Sequence, residues 1–515
     1  MDDILKRELE TVDISEQQST SENESSISNL EKQTRTRRLF SPVQLFFFNF
    51  VYMQLWYSTG GNMYFALANG GPAAWFFGYF IISFGALCQA ASFAELASIQ
   101  PLAGAQYYWT HHFAPESSKL FLTWLQGWTT WIAYIALLAS CMNGTTVIFE
   151  GLIQINHPDY SPGGWHTTCI MIAMLAFCAF VNMYCFRLVP WFELFTGILN
   201  VCLFFVILVS VWVMTPKRNS ADVFLITNVS TGWEGNYFVS ANIGALSNIF
   251  LYLSFESIIH MGEESRNPKQ AVPRAVLWSL LLNACLGVVM MVTFGLCMPA
   301  LDILLSSSSP LVTILLYSTG PTMATVTLSI LMVIGISGNV GVVSSVSRLT
   351  WAWARDGGLP HYFGYVDAKQ RVPLRAVLLA STIVTILSLL NVGSGTYIAF
   401  GAIVSLSSLS AYLSYAIVIF CVLYARYTNS FKVDVWNLGR VGPLINVVAL
   451  VYTLWVMIWL PFPNNLPVTA SNMNYCGPVF SAVFAGIIGS WFIRARGNWQ
   501  GPNRAVVDFV TRNQS

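Results

Sequence analysis

Asn248–Arg274 reads NIFLYLSFESIIHMGEESRNPKQAVPR. It opens as an apolar helix, places one carboxylate, Glu256, near the middle of the apolar run, and leaves through His260 into the polar segment Gly262–Lys269. A charged side chain in hydrocarbon costs at least about 2.5 kcal/mol even on lenient insertion scales. Such a group is expected to face a cavity or a partner, which makes Glu256 a candidate site residue.

The rest of the chain makes hydrocarbon the relevant solvent. Of its 515 residues, 55% are hydrophobic and 10% charged, and the mean hydropathy is +0.58. Soluble domains carry about 25% charged residues. The net charge of +1 gives no electrostatic reason for a nucleic-acid partner. The ten cysteines lie mostly inside apolar runs (Cys88, Cys141, Cys178, Cys202, Cys285) and form no C-x-x-C pair. They read as packing residues, with no metal site, disulfide framework or cofactor expected. Residues 1–39, rich in Ser, Glu, Gln and Thr, read as a disordered cytoplasmic tail with no cleaved signal. Residues 40–495 read as one membrane domain and 496–515 as a cytoplasmic C-terminal tail.

About 20 apolar residues cross a bilayer as a helix. The pattern predicts an all-α integral membrane protein with twelve transmembrane helices, at 44–67, 74–99, 121–149, 167–186, 191–214, 240–261, 275–298, 322–347, 375–391, 396–424, 441–461 and 476–494. With both termini inside, basic residues from Lys32 and Arg35 to Arg494 and Arg496 fall on the inner side, against Lys217 and Arg218 outside. The outer loop 215–239 contains the sequon Asn228-Val229-Ser230, a candidate glycosylation site.

Two spans read as interrupted. In the first, Ser58-Thr59-Gly60-Gly61-Asn62 sets two glycines among small polar residues. Glycine is poor in helix interiors, and broken backbone at membrane depth is tolerated only where it lines a cavity or is buried in protein. The other reading is a close helix crossing through small residues. In the sixth, Tyr252-Leu253-Ser254-Phe255-Glu256 carries no Gly or Pro, and the case for a break is the carboxylate and its place. Spans 1 and 6 open two sets of five, and interrupted helices at corresponding places in two halves point to a transporter site. Half-helix N-termini suit an anion, and half-helix C-termini suit a cation.

At these residues the chain resembles the amino acid–polyamine–organocation superfamily, and within it the amino acid/choline branch of fungal GABA and choline permeases. Ala68–Trp109 carries S-x-A-E-L-A-S and P-x-A-G-x-Q-Y-x-W. Phe255–Val276 carries H-x-x-E-E and V-P-R-A, and SRLTWAWARDGGLP spans Ser347–Pro360. The resemblance implies a five-plus-five inverted repeat with two extra helices and secondary transport by alternating access, with substrate held between spans 1, 3, 6, 8 and 10. It assigns Ser58, Thr59, Gly60 and Gly61 to a substrate carboxylate, and Leu253, Ser254 and Phe255 to its amine. Many members carry Asp where this chain has Glu256, which changes reach and leaves the substrate of the best-known members in doubt.

Glu256 is a candidate to bind an ammonium, to carry a coupling proton, or to pair structurally. His260, about a turn away, is a candidate proton relay or a hydrogen-bonded structural residue. Glu95 is expected to satisfy nearby amides or a basic residue such as Arg348. Glu263 and Glu264 are expected to pair with Arg266 or Arg274 as gate or framework contacts, and Arg355-Asp356 reads the same way. Glu193 reads as an anchor near the inner interface. Trp128, Trp131 and Tyr134 form a helical stripe that packs, with Trp128 or Trp131 also able to wall a site. Ser337 and Asn339, in Gly335-Ile336-Ser337-Gly338-Asn339, either allow close packing or face the pathway.

The leading expectation is a proton-coupled permease for an amino acid, GABA or a related amine. Its partners are the small-molecule substrate, a proton and the lipid bilayer, and its site the plasma membrane, with the vacuolar membrane as alternative. Choline transport is the alternative substrate reading, and a nutrient-sensing receptor with a transporter fold the alternative class. H-E-x-x-H, G-x-S-x-G and P-loop signatures are absent, so no enzyme is expected.

Overall fold

The computed structural model describes residues 36–215, 221–253, 255–307, 309–393, 396–470, 472–503 and 506. Among them, eleven stretches are long and apolar enough to cross a membrane. They are numbered spans 2 to 12: Gly71–Ile99, Lys119–Asn156, Gly164–Tyr184, Phe186–Met214, Tyr237–Glu264, Pro268–Cys297, Pro310–Arg355, Leu374–Val392, Gly401–Tyr427, Gly439–Trp459 and Cys476–Ala495. Span 1 precedes them in three pieces, Pro42–Met53, Leu55–Gly61 and Met63–Ala68. The bundle is helical, and the isolated bridges Phe40–Ser265 and Asn69–Val229 name its two faces.

Local chemistry sets several ends. Span 1 starts on a capping box in which the Gln44 amide donates to Ser41 Oγ and the Ser41 amide donates to Gln44 Oε1, with Pro42 in the first turn. Spans 3 and 8 run well beyond their expected bounds. Span 8 has 46 residues, about 69 Å at 1.5 Å per residue, more than twice a hydrocarbon core of about 30 Å. Its helix is kinked at Gly320, where φ is 74° ahead of Pro321. The portion beyond that kink contains the expected 322–347.

Several packing pairs are preserved under exchange of spans 1–5 with spans 6–10. Span 2 packs on span 7, span 3 on span 8 and span 4 on span 9, each pair mapping onto itself. The contact of span 3 with span 10 is matched by span 8 with span 5, and that of span 4 with span 8 by span 9 with span 3. This is the arrangement expected of a five-plus-five repeat. In spans 8 and 10, 72% of the apolar window is buried, against 11% in span 12, which lies at the periphery.

On the Asn69 face, the segment before span 6 is tied to the end of span 1. The Gly70 amide donates to Asn228 O at 2.7 Å, and Asn228 Nδ2 donates to Leu67 O at 3.1 Å. That nitrogen is the atom a glycan would occupy. Asn228 is therefore expected to be unmodified: electrophoretic mobility should be the same for wild type and Asn228→Gln, before and after endoglycosidase. A glycosidase-sensitive shift in wild type alone would mean that this contact gives way to a glycan.

Candidate functional site

Span 1 is interrupted twice: sharply at Gln54, one turn before the expected Ser58–Asn62, and mildly at Asn62, at the end of that stretch, where φ is −94° and ψ 0°. Gln54 takes a left-handed conformation, with φ 48° and ψ 34°, which ends one helix and begins the next at Leu55. Few residues other than glycine, Asn or Asp adopt it, so surrounding contacts must hold it. Gln54 Nε2 donates to Ile334 O and Gly335 O, both at 3.4 Å, and the Tyr57 hydroxyl donates to Gln54 Oε1. A Cβ on Gly338 would fall 2.1 Å from Gln54 Nε2, so the small residues of span 8 receive the break. Ser58–Gly61 stay helical, with the Thr59 hydroxyl donating to Trp56 O at 2.7 Å. A Cβ on Gly60 would meet Leu311 at 3.1 Å and Phe294 at 3.2 Å. Gly60 thus serves the close crossing, the other reading of that stretch. Gly61 has open space around it.

Span 6 breaks where expected. Its helix ends at Tyr252, Leu253 is extended with φ −64° and ψ 134°, and Ser257–Glu264 continues as a 3-10 helix of eight residues. Such helices seldom exceed four residues, and longer ones often mark a hinge. Ser254 lies outside the described residues. Leu253 and Phe255 are buried, and the Phe255 ring packs on Phe93 and Tyr415, both 5.6 Å away.

Glu256 follows the break and is fully buried. Gln106 Nε2 donates to its Oε1 at 3.1 Å, the Tyr134 hydroxyl donates to Oε1 at 3.0 Å, and the Tyr415 hydroxyl donates to Oε2 at 2.7 Å. These donors come from the short helix Gln106–Phe113, span 3 and span 10. All three are neutral, and Glu256 belongs to none of the ion pairs among the described residues. Three contacts meet three donor hydrogens, so the geometry fits an ionised carboxylate that is hydrogen-bonded and still carries its charge.

Between Glu256 and the Phe40 face the protein is closed by buried polar groups. His260 Nδ1 donates to Ala103 O at 2.7 Å, its ring meets Tyr134 edge-on at 4.6 Å, and its Nε2 has no protein partner. A carbonyl only accepts, so Nδ1 carries a proton. Gly262 lets this segment approach the loop 101–105, since a Cβ there would lie 2.6 Å from Pro101 O. Glu263 accepts from the Ala103 amide at 3.1 Å and pairs with Arg355 at 3.3 Å, while Glu264 pairs with Arg348 at 3.0 Å. The expected partners Arg266 and Arg274 are replaced by these arginines of span 8, because the chain turns back through Asn267 at φ 52° into span 7. Tyr107 and Tyr108 each donate to Asp356 Oδ2 at 2.6 Å, so Asp356 is tied to the tyrosines. Burial raises the Asp356 carboxyl above its ordinary range, and Arg355 opposes the shift.

The other expected residues are spread around this centre. Glu95 binds Arg426 and the Leu438 amide, fastening span 2 to the connection after span 10; Arg348 is engaged elsewhere. Ser337 donates to Glu193, and Asn339 Nδ2 donates to Thr145 Oγ1 at 2.7 Å, so both contact neighbouring helices. Trp128 joins Trp124, Trp131 and Trp353 in an indole cluster. Gln106, Tyr415 and Phe93 were not singled out from the sequence. Gln106 lies in the P-x-A-G-x-Q pattern, whereas Tyr415 carries no local signal.

Residues 40–484 match the family model for amino acid permeases. The chain belongs to the amino acid permease family. This permease is 27% identical to a choline transporter of Saccharomyces cerevisiae, over 85% of its own length and 78% of the relative's. It is 26% identical to amino-acid permease 2 of Neurospora crassa, over 94% and 90% of the two chains. It is 25% identical to an amino-acid permease of Oryza sativa subsp. japonica, over 87% and 88%. The permease is thus a multi-pass membrane transporter, with Glu256 and its three donors inside the matched region.

Proposed function

We propose that this permease is a proton-coupled secondary transporter of a small amine, of the amino acid or GABA class, working by alternating access around Glu256. The observation that carries this reading is a buried carboxylate held by three neutral donors and, among the described residues, by no cation. The charge left over suits an ammonium group, and an uncompensated buried charge is costly unless something cationic or a proton meets it. Phe255, Phe93 and Tyr415 put aromatic faces around the same spot, which favours a cation. A substrate carboxylate is assigned to Ser58, Thr59, Gly60 and Gly61, as the family resemblance implies, with open space at Gly61. The basic-residue asymmetry assigns the Phe40 face to the cytoplasm, so the closed face is the inner one. His260 is assigned a supporting place in the proton path, since Tyr134 touches both it and Glu256.

The aromatic surroundings also favour a quaternary ammonium, which keeps choline as a second reading. Uptake of labelled GABA, choline and a panel of amino acids into proteoliposomes, at two pH values, tests both. Saturable accumulation driven by an inward proton gradient is expected. Accumulation of choline, with no competition from carboxylate-bearing amines, would select the second reading. No transport by folded protein would overturn both.

A further inference from the structure

Three arginines from three separate connections meet on the Phe40 face, away from Glu256. Arg37 precedes span 1, Arg187 lies between spans 4 and 5, and Arg371 lies between spans 8 and 9. With Tyr184, Glu264 and Gln370 they line one cavity. Glu264 is the carboxylate in its wall, and Arg348 already binds it at 3.0 Å. The Arg348 guanidinium also lies 4.0 Å over the ring of Phe186, which faces the same cavity. Arg37 and Arg187 take part in no ion pair among the described residues.

The cavity wall and its backing therefore hold four guanidinium groups and one carboxylate. Like charges brought together repel, so this place is short of negative charge. The backbone adds to the shortage. Arg187 stands just before the start of the span 5 helix at Val189, and Arg371 just before the start of the span 9 helix at Leu374. A helix N-terminus carries partial positive charge, which disfavours a cation and favours an anion. Guanidinium is always charged, and its planar fork matches the oxygens of a phosphate.

The surroundings select the source of that phosphate. Arg187 is flanked by Tyr184, Leu188 and Trp191, all exposed, where span 4 ends and span 5 begins. Tyr and Trp collect at the membrane–water interface, so Arg187 stands at the depth of lipid headgroups, where basic side chains meet anionic lipid. The cavity measures about 10 Å³, room for about one water. It is too small to enclose a solute, but an anion presented from the bilayer can sit at its mouth.

We propose that Arg37, Arg187 and Arg371 bind the phosphate of an anionic phospholipid. Arg37 and Arg187 belong to the first set of five spans, and Glu264, Gln370 and Arg371 to the second. A phosphate at this place ties the two sets together, so the lipid holds the Phe40 face closed. That consequence rests on the alternating-access reading, whereas the site itself does not.

Thermal unfolding of the full-length protein in a neutral detergent, titrated with phosphatidylserine or phosphatidylcholine, tests the site. Phosphatidylserine should raise the wild-type midpoint, and phosphatidylcholine should not. The double variant Arg37→Gln with Arg187→Gln should bind phosphatidylserine about 30-fold more weakly. Without anionic lipid it should unfold at or above the wild-type midpoint, because repulsion is relieved; arginines that merely support the fold would lower it. Arg440→Gln, an exposed arginine of the same face outside the cavity, should respond as wild type does. No rise with phosphatidylserine in wild type, or an equal loss in Arg440→Gln, overturns the site. A full rise with inorganic phosphate alone overturns the lipid as its occupant. The closed face is read separately, by labelling a cysteine placed at Ala103. Phosphatidylserine should slow that labelling in the wild-type background and not in the double variant. Unchanged labelling with bound lipid overturns the tie between the two sets of spans and leaves the site standing.

Discussion

Glu256→Gln should reduce transport by about 100-fold or more while the protein still folds. Truncating one partner of a buried, hydrogen-bonded charge pair costs about 2–5 kcal/mol, and each 1.4 kcal/mol is about tenfold. The lost partner here is the substrate ammonium, so the effect should appear in binding and in counterflow as well as in driven uptake. Stability should move little or rise, because a neutral amide removes an uncompensated buried charge, its oxygen can still accept from Gln106 and Tyr134, and its NH2 can donate to the Tyr415 oxygen. The decisive comparison is ligand-induced thermal stabilisation against basal stability. Lost ligand stabilisation with retained basal stability supports the assignment. Wild-type affinity in Glu256→Gln would show that the carboxylate is structural.

The second large effect is expected at Arg355. Its guanidinium is 1% exposed, pairs with Glu263, donates to the Tyr108 hydroxyl at 3.2 Å and lies over the Trp351 ring at 4.4 Å. Breaking a buried pair by removing one member costs about 3–5 kcal/mol, because the other charge is left uncompensated. Arg355→Ala should therefore unfold at lower temperature and admit thiol reagents from the Phe40 face to a cysteine placed at Ala103. The double variant Arg355→Met with Glu263→Gln should recover stability but not the barrier to the reagent. If the single variant excludes the reagent as well as wild type does, the pair supports the fold and does not close the face.

How much of this could be read from the chain follows from the range of the forces involved. Glu256 was legible because a single carboxylate in an apolar run stands out against its solvent. The span 6 break followed from it. In span 1 the glycines marked the milder interruption at Asn62 and missed the sharper one, and Gly60 is small because Leu311 and Phe294 cross there. The sharper bend falls at Gln54, whose left-handed conformation is held by span 8, 280 and 281 positions away in the chain. Tyr415 and the Glu95–Arg426 pair were hidden for the same reason, since their partners come from distant spans. Asn339 and Ser337 were recognised as polar groups at depth, but only three-dimensional packing assigns them Thr145 and Glu193.

The segment after span 12 folds back on the Phe40 face. Trp499 Nε1 donates to Asp356 O at 2.7 Å, its ring sits 5.2 Å from Trp124 and 5.8 Å from Trp353, and the Asn503 amide donates to Asp356 Oδ1 at 3.2 Å. Asp356 is the residue that Tyr107 and Tyr108 grip one position away from Arg355. Any rearrangement that parts those groups must also lift the indole from its neighbours. Gln500, exposed beside Trp499, is thus a natural place for a spin or fluorine label: its signal would follow each opening of the face from a position that touches neither substrate nor proton.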